Sequence, residues 1–180
     1  MRLRPTPLPG LHLIETKRVV DERGLFHKLY HSELAEAAGT PFVAAEIFCS
    51  VSERGVLRGM HFQSPPYHYT KLVFCLAGQI LDVVVDVRPG AGFGRFATFE
   101  LEEGGSRGLW IPPGCAHGFL SRTAGSIVVY AVSATHHPEH DAGIRWDSFG
   151  FDWPVDSAVI SARDRTLPRL QTFTTPFPPA

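Results

Sequence analysis

Hydrophobic and polar residues alternate over short stretches along much of the chain. Residues 96–102 read FATFELE, and residues 126–132 read SIVVYAV, which is rich in β-branched side chains. Residues 79–86, QILDVVVD, are apolar apart from their ends and Asp82. Glycine and proline separate such runs, so we expect many short strands joined by turns. The pattern therefore predicts an all-β fold, an antiparallel sandwich or barrel.

Two segments depart from the strand pattern. Ser32 precedes ELAEAA and Gly39, which predicts one short helix that the serine side chain caps and the glycine ends. The last residues, TFTTPFPPA, are rich in proline and are expected to be extended or frayed. The chain is therefore predicted to form one domain over residues 1–180, with 171–180 as an extended tail.

Composition excludes several kinds of partner. The 17 basic and 18 acidic residues give a formal net charge of −1, so no overall positive field exists to attract nucleic acid or anionic lipid. The sequence has no apolar signal segment and no run of membrane-spanning length. We expect a soluble, cytoplasmic protein with no nucleic-acid or membrane partner. Its three widely spaced cysteines are expected to be reduced and buried.

Candidate chemistry is concentrated in residues 55–71, GVLRGMHFQSPPYHYTK. Arg58, His61 and Lys71 in this segment would suit a phosphate clamp, a base and an enolate stabiliser in one pocket. Later segments add His117, Tyr130 and Asp164. Histidine is suited to act as a base because its unperturbed pKa lies near neutral pH.

Five segments carry a resemblance to a known family. Pro112-x-Gly114-x-x-His117 resembles half of the second cupin motif. More broadly, the chain resembles the dTDP-4-dehydrorhamnose 3,5-epimerase family over about residues 11–170, in GVLRGMHFQ, TKLVFCLAGQILDVVVDVR, LWIPPGCAHGF, PEHDAGIRWDSFGFDWPV and ISARDR. The resemblance implies a cupin jelly-roll barrel and a homodimer that exchanges N-terminal strands.

The implied activity is inversion of C3, C5 or both in a nucleotide-diphosphate-linked 4-keto-6-deoxy sugar, in deoxysugar biosynthesis. By resemblance, His61 is the catalytic base and Asp164 its partner carboxylate. Lys71 matches the lysine near the sugar keto oxygen, and Tyr130 the tyrosine acting from the opposite face. The ketone itself acidifies the C–H bonds at C3 and C5, so no metal or organic cofactor is expected.

The resemblance also implies residues that bind the substrate. Arg58 and Arg23 match arginines that hold the diphosphate, and Phe26 matches an aromatic near the base. Arg23 and Phe26 would come from the partner subunit. Further candidates in or near the barrel interior are Gln63, Asp82 and His117.

Three parts of the sequence depart from the family pattern. Lys28 stands where the family commonly has glutamate, Glu46-Ile-Phe48 replaces Gln-x-Asn, and His136 replaces a tyrosine. We include Lys28, Glu46 and His136 among the candidate substrate-binding residues. Because the family places the first two positions near the nucleotide base, TDP-, GDP-, CDP- and UDP-linked sugars, hexoses and heptoses, stay open as alternatives.

Readings from other classes also stay open. His61, His68 and His117 could bind a metal in a cupin oxygenase or isomerase, although the expected His-x-His pair is missing. A non-catalytic sugar-nucleotide-binding cupin would use the same polar interior for recognition alone. Residue by residue, Arg23 could form a turn ion pair with Asp21, and His117 could be structural.

Overall fold

A computed structural model describes residues 1–179 of the chain. Two short α-helices are present in this range, α1 (Glu33–Ala37) and α2 (Ala162–Thr166), with two 3₁₀ turns at Pro138–His140 and Leu170–Thr172. The strands are β1 (Arg2–Pro5), β2 (His12–Glu15), β3 (Lys17–Asp21), β4 (Gly24–Lys28), β5 (Glu46–Ser52), β6 (Leu57–Gln63), β7 (Lys71–Ala77), β8 (Gln79–Asp86), β9 (Phe96–Glu102), β10 (Arg107–Ile111), β11 (Cys115–Ser121), β12 (Ser126–Val132) and β13 (Asp141–Gly143).

The strands pair antiparallel in two large sheets and one hairpin. The six-stranded sheet has the order β1-β2-β10-β7-β12-β5, and the five-stranded sheet the order β13-β6-β11-β8-β9. The hairpin β3–β4 stands apart from both. The predicted all-β class is confirmed, and the strands predicted at residues 79–86, 96–102 and 126–132 are β8, β9 and β12.

Apolar side chains fill the space between the two sheets and also cover their outer faces. The cluster between the sheets includes Val73, Val84, Phe119 and Val128. The C-terminal segment, with Phe149, Trp153 and Phe177, covers the outer face of the five-stranded sheet. Helix α1 and Phe42 cover part of the six-stranded sheet. Strands buried on both faces need few polar positions, which explains the nearly continuous apolar run of β8.

The predicted helix exists, but its predicted cap does not. Helix α1 follows Ser32, whose backbone is already helical at φ −57° and ψ −34°, and its hydroxyl caps nothing within residues 1–179. An N-cap side chain reaches the first free N–H groups from an extended backbone, so this geometry precludes the bond. Gly39 follows the helix with φ +64°, as predicted for a residue that ends one.

The tail has no helix or strand after Thr172 as far as residue 179, yet it packs against the domain. The Thr175 hydroxyl donates a hydrogen bond to the Val87 carbonyl. The Phe177 ring is buried, with its centroid 5.6 Å from that of Phe62. The extended tail is therefore part of the cover over the five-stranded sheet.

The cysteines are free thiols, but one of them contradicts the expectation of burial. Cys75 and Cys115 are buried, whereas Cys49 is exposed. Cys49 lies on β5, the last strand of its sheet, and its neighbours Ile47 and Val51 on the same face are exposed as well. The residues that cover the rest of this sheet therefore leave this edge open. No helix in residues 1–179 is long and apolar enough to cross a membrane.

Candidate active site

A cavity of about 570 Å³ is lined by side chains from both large sheets and from helix α2. Of the residues singled out from the sequence, it is lined by Arg58, His61, Lys71, His117, Tyr130, His136 and Asp164. These side chains come from strands β6, β7, β11 and β12, the loop after β12, and helix α2. The fold thus gathers residues spread over more than one hundred positions of sequence around one space.

Strand alternation explains why polar side chains face this interior. Lys71 shares its face of β7 with Val73 and Cys75, which belong to the cluster between the sheets. Tyr130 is itself a member of that cluster. Since side chains two positions apart point to the same face, the strand that buries the apolar residues also directs the lysine inward.

His61 and Asp164 form a hydrogen-bonded pair. The distance between His61 Nε2 and Asp164 Oδ1 is 2.7 Å, and Asp164 Oδ2 accepts the Gly59 N–H at 3.1 Å. The Ser161 hydroxyl caps helix α2 by accepting the Asp164 N–H at 3.0 Å. Burial would raise the pKa of Asp164, but the hydrogen bonds from His61 and Gly59 outweigh it and lower that pKa. The pair therefore holds a carboxylate against the imidazole.

Gly59 is required for this arrangement by its backbone. Its φ is +136°, and a Cβ at this position would lie 2.5 Å from the Gly118 Cα on β11. Both the conformation and the close approach exclude a side chain. Glycine here lets β6 lie against β11 while the Gly59 N–H faces Asp164.

Lys71 is buried at the base of the cavity. Its ammonium lies 5.6 Å from the centre of the Tyr69 ring, a cation–π contact. Burial lowers the pKa of Lys71 to about 8, against the opposing charges of Asp82 and Asp141. The ammonium is therefore the main form at neutral pH, but it is more easily deprotonated than an exposed lysine.

A second histidine–carboxylate pair is more completely buried than the first. His117 Nε2 is 2.8 Å from Asp82 Oδ2, and both side chains are almost fully buried. Burial lowers the pKa of His117, although the Asp82 charge opposes this. Asp82 Oδ1 has no hydrogen-bond partner within residues 1–179. The pair faces the cavity through His117, because His117 lines it and Asp82 does not.

Tyr130 is held by two residues of β5. Its ring stacks on Phe48, with centroids 4.8 Å apart and planes 19° apart, and its hydroxyl lies 3.3 Å from the Ser50 Oγ. Burial raises the pKa of Tyr130, so the phenol keeps its proton at neutral pH. The hydroxyl can therefore donate a hydrogen bond or a proton.

Arg58 is exposed at the cavity. Its Nε donates to the Ser52 hydroxyl at 3.0 Å, and an Nη group donates to the Val51 carbonyl at 3.2 Å. These bonds hold the guanidinium at the cavity wall, where its planar set of donors suits an anionic group.

The remaining candidates lie elsewhere within one chain. Gln63 is buried, and its side-chain amide bonds the backbone of Tyr67, Thr135 and His137, so it fixes the loop that carries His136. Glu46 accepts the backbone N–H of His136 at 2.8 Å. Arg23, Phe26 and Lys28 belong to the β3–β4 region and do not line this cavity. Arg23 pairs with Asp21 across the turn at 2.5 Å.

Several lining residues were not anticipated from the sequence as functional. They include Phe48, Ser50, Tyr69, Asp141 and Arg163. Arg163 donates to Asp141 at 2.8 Å beside the cavity. Tyr69 stands two positions before Lys71, a spacing that places both on one side of an extended chain, and this signal could have identified it. Burial raises the pKa of Tyr69 to about 12.

The three histidines of the metal hypothesis do not form a ligand set. His61 and His117 are directly paired across β6 and β11, but each Nε2 is bonded to a carboxylate. His68 is exposed and packs near Phe177, with ring centroids 6.2 Å apart. Across residues 1–179, no group of three or more His, Cys, Asp or Glu side chains is arranged to hold a metal ion.

Comparison with known proteins gives one consistent family. Residues 5–172 match the family model for dTDP-4-dehydrorhamnose 3,5-epimerase. A relative of that name from Methanothermobacter thermautotrophicus is 38% identical, with 94% of this chain and 95% of the relative aligned. Among solved structures, a dTDP-6-deoxy-D-glucose-3,5-epimerase from Legionella pneumophila, in complex with dTDP-4-keto-L-rhamnose, superposes with a TM-score of 0.93 at 32% identity and 99% coverage of both chains.

A second solved structure that resembles this chain is described as a monoepimerase, which inverts a single carbon. A 3'-monoepimerase from Streptomyces bikiniensis, in complex with dTDP-quinovose, superposes with a TM-score of 0.89 at 32% identity, covering 93% of this chain and 87% of that one. The match to the family model spans the strands and helix that carry the cavity. The chain belongs to the dTDP-4-dehydrorhamnose 3,5-epimerase family and is a carbohydrate epimerase, an isomerase.

Proposed function

We propose that this epimerase inverts C3, C5 or both in a nucleotide-diphosphate-linked 4-keto-6-deoxy sugar, with His61 as the base and Tyr130 as the opposing acid. The observation that carries the proposal is that one cavity is lined by His61, bonded to Asp164, and by the hydroxyl-bearing Tyr130. The crystal structures of relatives with dTDP-4-keto-L-rhamnose and dTDP-quinovose support a nucleotide sugar as the ligand.

The chemistry begins with removal of a proton next to the ketone. His61 takes the proton from C3 or C5, and the C–H electron pair moves into the ring so that negative charge collects on O4. Asp164 stabilises the imidazolium that forms and holds the ring orientation. Tyr130 then gives its proton to the same carbon from the other face, the ketone re-forms, and the centre is inverted.

Lys71 is suited to stabilise the enolate. Charge on O4 exists only after the proton has left, so an ammonium directed at O4 binds the transition state more strongly than the substrate. The buried site strengthens this interaction because little water competes with it. The side chain itself needs no metal or organic cofactor for this role.

Binding of the diphosphate is assigned to Arg58 and, from the partner of a homodimer, to Arg23. Within one chain the β3–β4 hairpin exposes Val20 by 66% and Phe26 by 64%, which is unusual for side chains of this size. Strand β5, at the edge of the six-stranded sheet, exposes Ile47 by 67%. An exposed apolar hairpin and an open sheet edge on the same chain support exchange of the hairpin between two subunits.

The departures at Glu46, Lys28 and His136 bear on the nucleotide. One carboxylate oxygen of Glu46 accepts the backbone N–H of His136, so Glu46 fixes the backbone of a residue that lines the cavity. Lys28 lies on β4, so exchange of the β3–β4 hairpin would bring it to the cavity of the other subunit. A ligand preferring the native state raises its melting temperature, so a screen with TDP, UDP, GDP and CDP identifies the base.

The decisive experiment uses a panel of 4-keto-6-deoxy sugars, both hexoses and heptoses, linked to these four nucleotides in deuterated water. We expect solvent deuterium to enter C3, C5 or both of at least one member, together with the inverted product, as read by proton NMR. Binding of a panel member without any exchange would instead support the non-catalytic binding role. Absence of exchange with every member would reject the proposal.

A further inference from the structure

One polar residue beside Tyr130, Ser50, takes no part in the proton transfers made by His61 and Tyr130. Ser50 lines the cavity, and its Oγ lies 3.3 Å from the Tyr130 hydroxyl. Within residues 1–179, Ser50 is the one hydrogen-bond partner of the Tyr130 hydroxyl. Catalytic hydrogen bonds are often long before substrate binds and shorten in the complex, so this distance suits a transient proton path.

Each turnover leaves Tyr130 without its proton. The phenolate then sits where the neutral side chain is only 6% exposed, and burial disfavours the charged form. The next inversion cannot begin until the proton returns. His61 cannot supply it directly, because His61 accepted its proton from the opposite side of the sugar ring.

The other polar neighbours of Tyr130 are held by their own hydrogen bonds, and the guanidinium of Arg58 does not give up a proton. The His117 ring lies 6.1 Å from the Tyr130 ring, and its Nε2 is bonded to Asp82. Arg58 donates to Ser52 and to the Val51 carbonyl. Ser50, by contrast, is half-buried at the cavity wall, so its hydroxyl can contact both Tyr130 and water in the cavity.

We propose that Ser50 is the relay through which Tyr130 regains its proton from water, with Phe48 as a positioning residue that holds the phenol beside it. Phe48 and Tyr130 are direct partners in the β5–β12 pairing, and their stacked rings fix the direction of the hydroxyl. Ser50 lies two positions further along β5, on the same face as Phe48. The inference rests on the proposed role of Tyr130 as proton donor.

The relay balances in protons and charge. The Ser50 O–H bond breaks as its proton joins the phenolate oxygen, while a cavity water gives a proton to Ser50 and becomes hydroxide. The imidazolium of His61 releases the proton taken from the sugar to water, which neutralises that hydroxide. Both residues are thereby restored, and the sugar has exchanged one carbon-bound hydrogen with solvent.

The test compares Ser50→Ala with wild type on whichever sugar nucleotide turns over. In rapid-quench experiments Ser50→Ala should invert about one centre per active site at near the wild-type rate and then slow by about tenfold or more. The slow phase should accelerate with rising imidazole buffer concentration, since an external acid can replace the relay. Wild type should show neither the burst nor the buffer dependence.

Ser50→Thr is the matched control, because it keeps the hydroxyl and suits a strand. It should restore steady turnover without buffer dependence. Absence of a burst, or a Ser50→Ala steady rate within about threefold of wild type, would overturn the relay. An equal slowing of the first and later turnovers would do so too, because it would assign Ser50 to ring orientation alone. Circular dichroism checks folding, and an inactive wild type would count against the proposed function instead.

Discussion

The Asp164 carboxylate binds His61 with one oxygen, at 2.7 Å from Nε2, and the backbone N–H of Gly59 with the other, at 3.1 Å. Both partners belong to strand β6, so the carboxylate is fixed relative to the strand that carries the imidazole. Rotation of the carboxylate would break the Gly59 bond. The aspartate therefore sets the orientation and the tautomer of His61 together.

Substitutions at His61 and at Asp164 should have different effects, because one residue is the base and the other supports it. His61→Asn should abolish solvent exchange at every carbon the base serves, with the fold retained. Asp164→Asn should lower kcat by about 10²- to 10⁴-fold, because the amide no longer stabilises the imidazolium. Deuterium incorporation and kcat measure both effects, with the exposed Asp156→Asn as a control. Substantial exchange by His61→Asn would assign the base elsewhere.

Replacing Tyr130 by Phe should uncouple inversion from exchange. The base would still remove the proton and return a deuteron to the same face, while the opposite-face donor would be gone. We expect inversion to fall by about 10²- to 10⁴-fold and exchange into unreacted substrate to fall by less than about tenfold. The comparison is made in one NMR time course. An equal loss of both activities would contradict the donor role.

The strand pattern and the ordered motifs were sufficient to predict the fold class and to name seven of the residues that line the cavity. Alternation identified β9, and a run of β-branched residues identified β12. Asp164 gave no such local signal, since a carboxylate in a charged run is usually solvated. It is buried here because helix α2 packs near β6, and only the family resemblance identified it.

What the sequence did not reveal depends on pairing between distant strands. Phe48 and Ser50 reach Tyr130 because β5 pairs with β12 in one register, and a shift by a single residue would turn both side chains away. The packing of Phe177 against Phe62 has the same kind of cause. In each case a tertiary arrangement, rather than local propensity, decides the outcome.

The state of Lys71 should limit activity in alkaline solution. Burial lowers its pKa to about 8, and only the ammonium stabilises the enolate, so kcat/KM should fall as pH rises through about 8. The negative charge of Asp82 raises this pKa, so Asp82→Asn should move the alkaline limb to lower pH. Asp156→Asn should leave it in place. If Asp82→Asn left the alkaline limb unchanged, that limb would not report the ionisation of Lys71.

Truncation of the tail side chain at position 177 should destabilise the domain. Phe177 is 8% exposed and packs against Phe62, so Phe177→Ala should lower the free energy of unfolding by about 3 kcal/mol. Phe93→Ala, at a 36% exposed position, serves as the control and should have little effect. Urea denaturation at one protein concentration compares them. If Phe177→Ala were as stable as wild type, the tail side chain would contribute nothing to the core.

Sharing of the site between subunits can be tested with two inactive variants. Arg23→Ala should lack the diphosphate contact supplied to the partner, and His61→Asn should lack the base in its own cavity. If Arg23 acts across the dimer, a mixed dimer contains one site with both residues intact and one with neither. Denaturing and refolding an equal mixture should therefore restore about a quarter of wild-type activity, since half of the dimers are mixed and each has one working site.

The result distinguishes the two placements of Arg23 without a structure of the dimer. If Arg23 served the cavity of its own chain, every site in the mixed dimer would lack one of the two residues, and mixing would restore nothing. A mixture in which both chains carry His61→Asn is the matched control for the refolding procedure. Light scattering on each sample measures the oligomeric state, and a monomeric wild type with full activity would contradict the exchange of the β3–β4 hairpin.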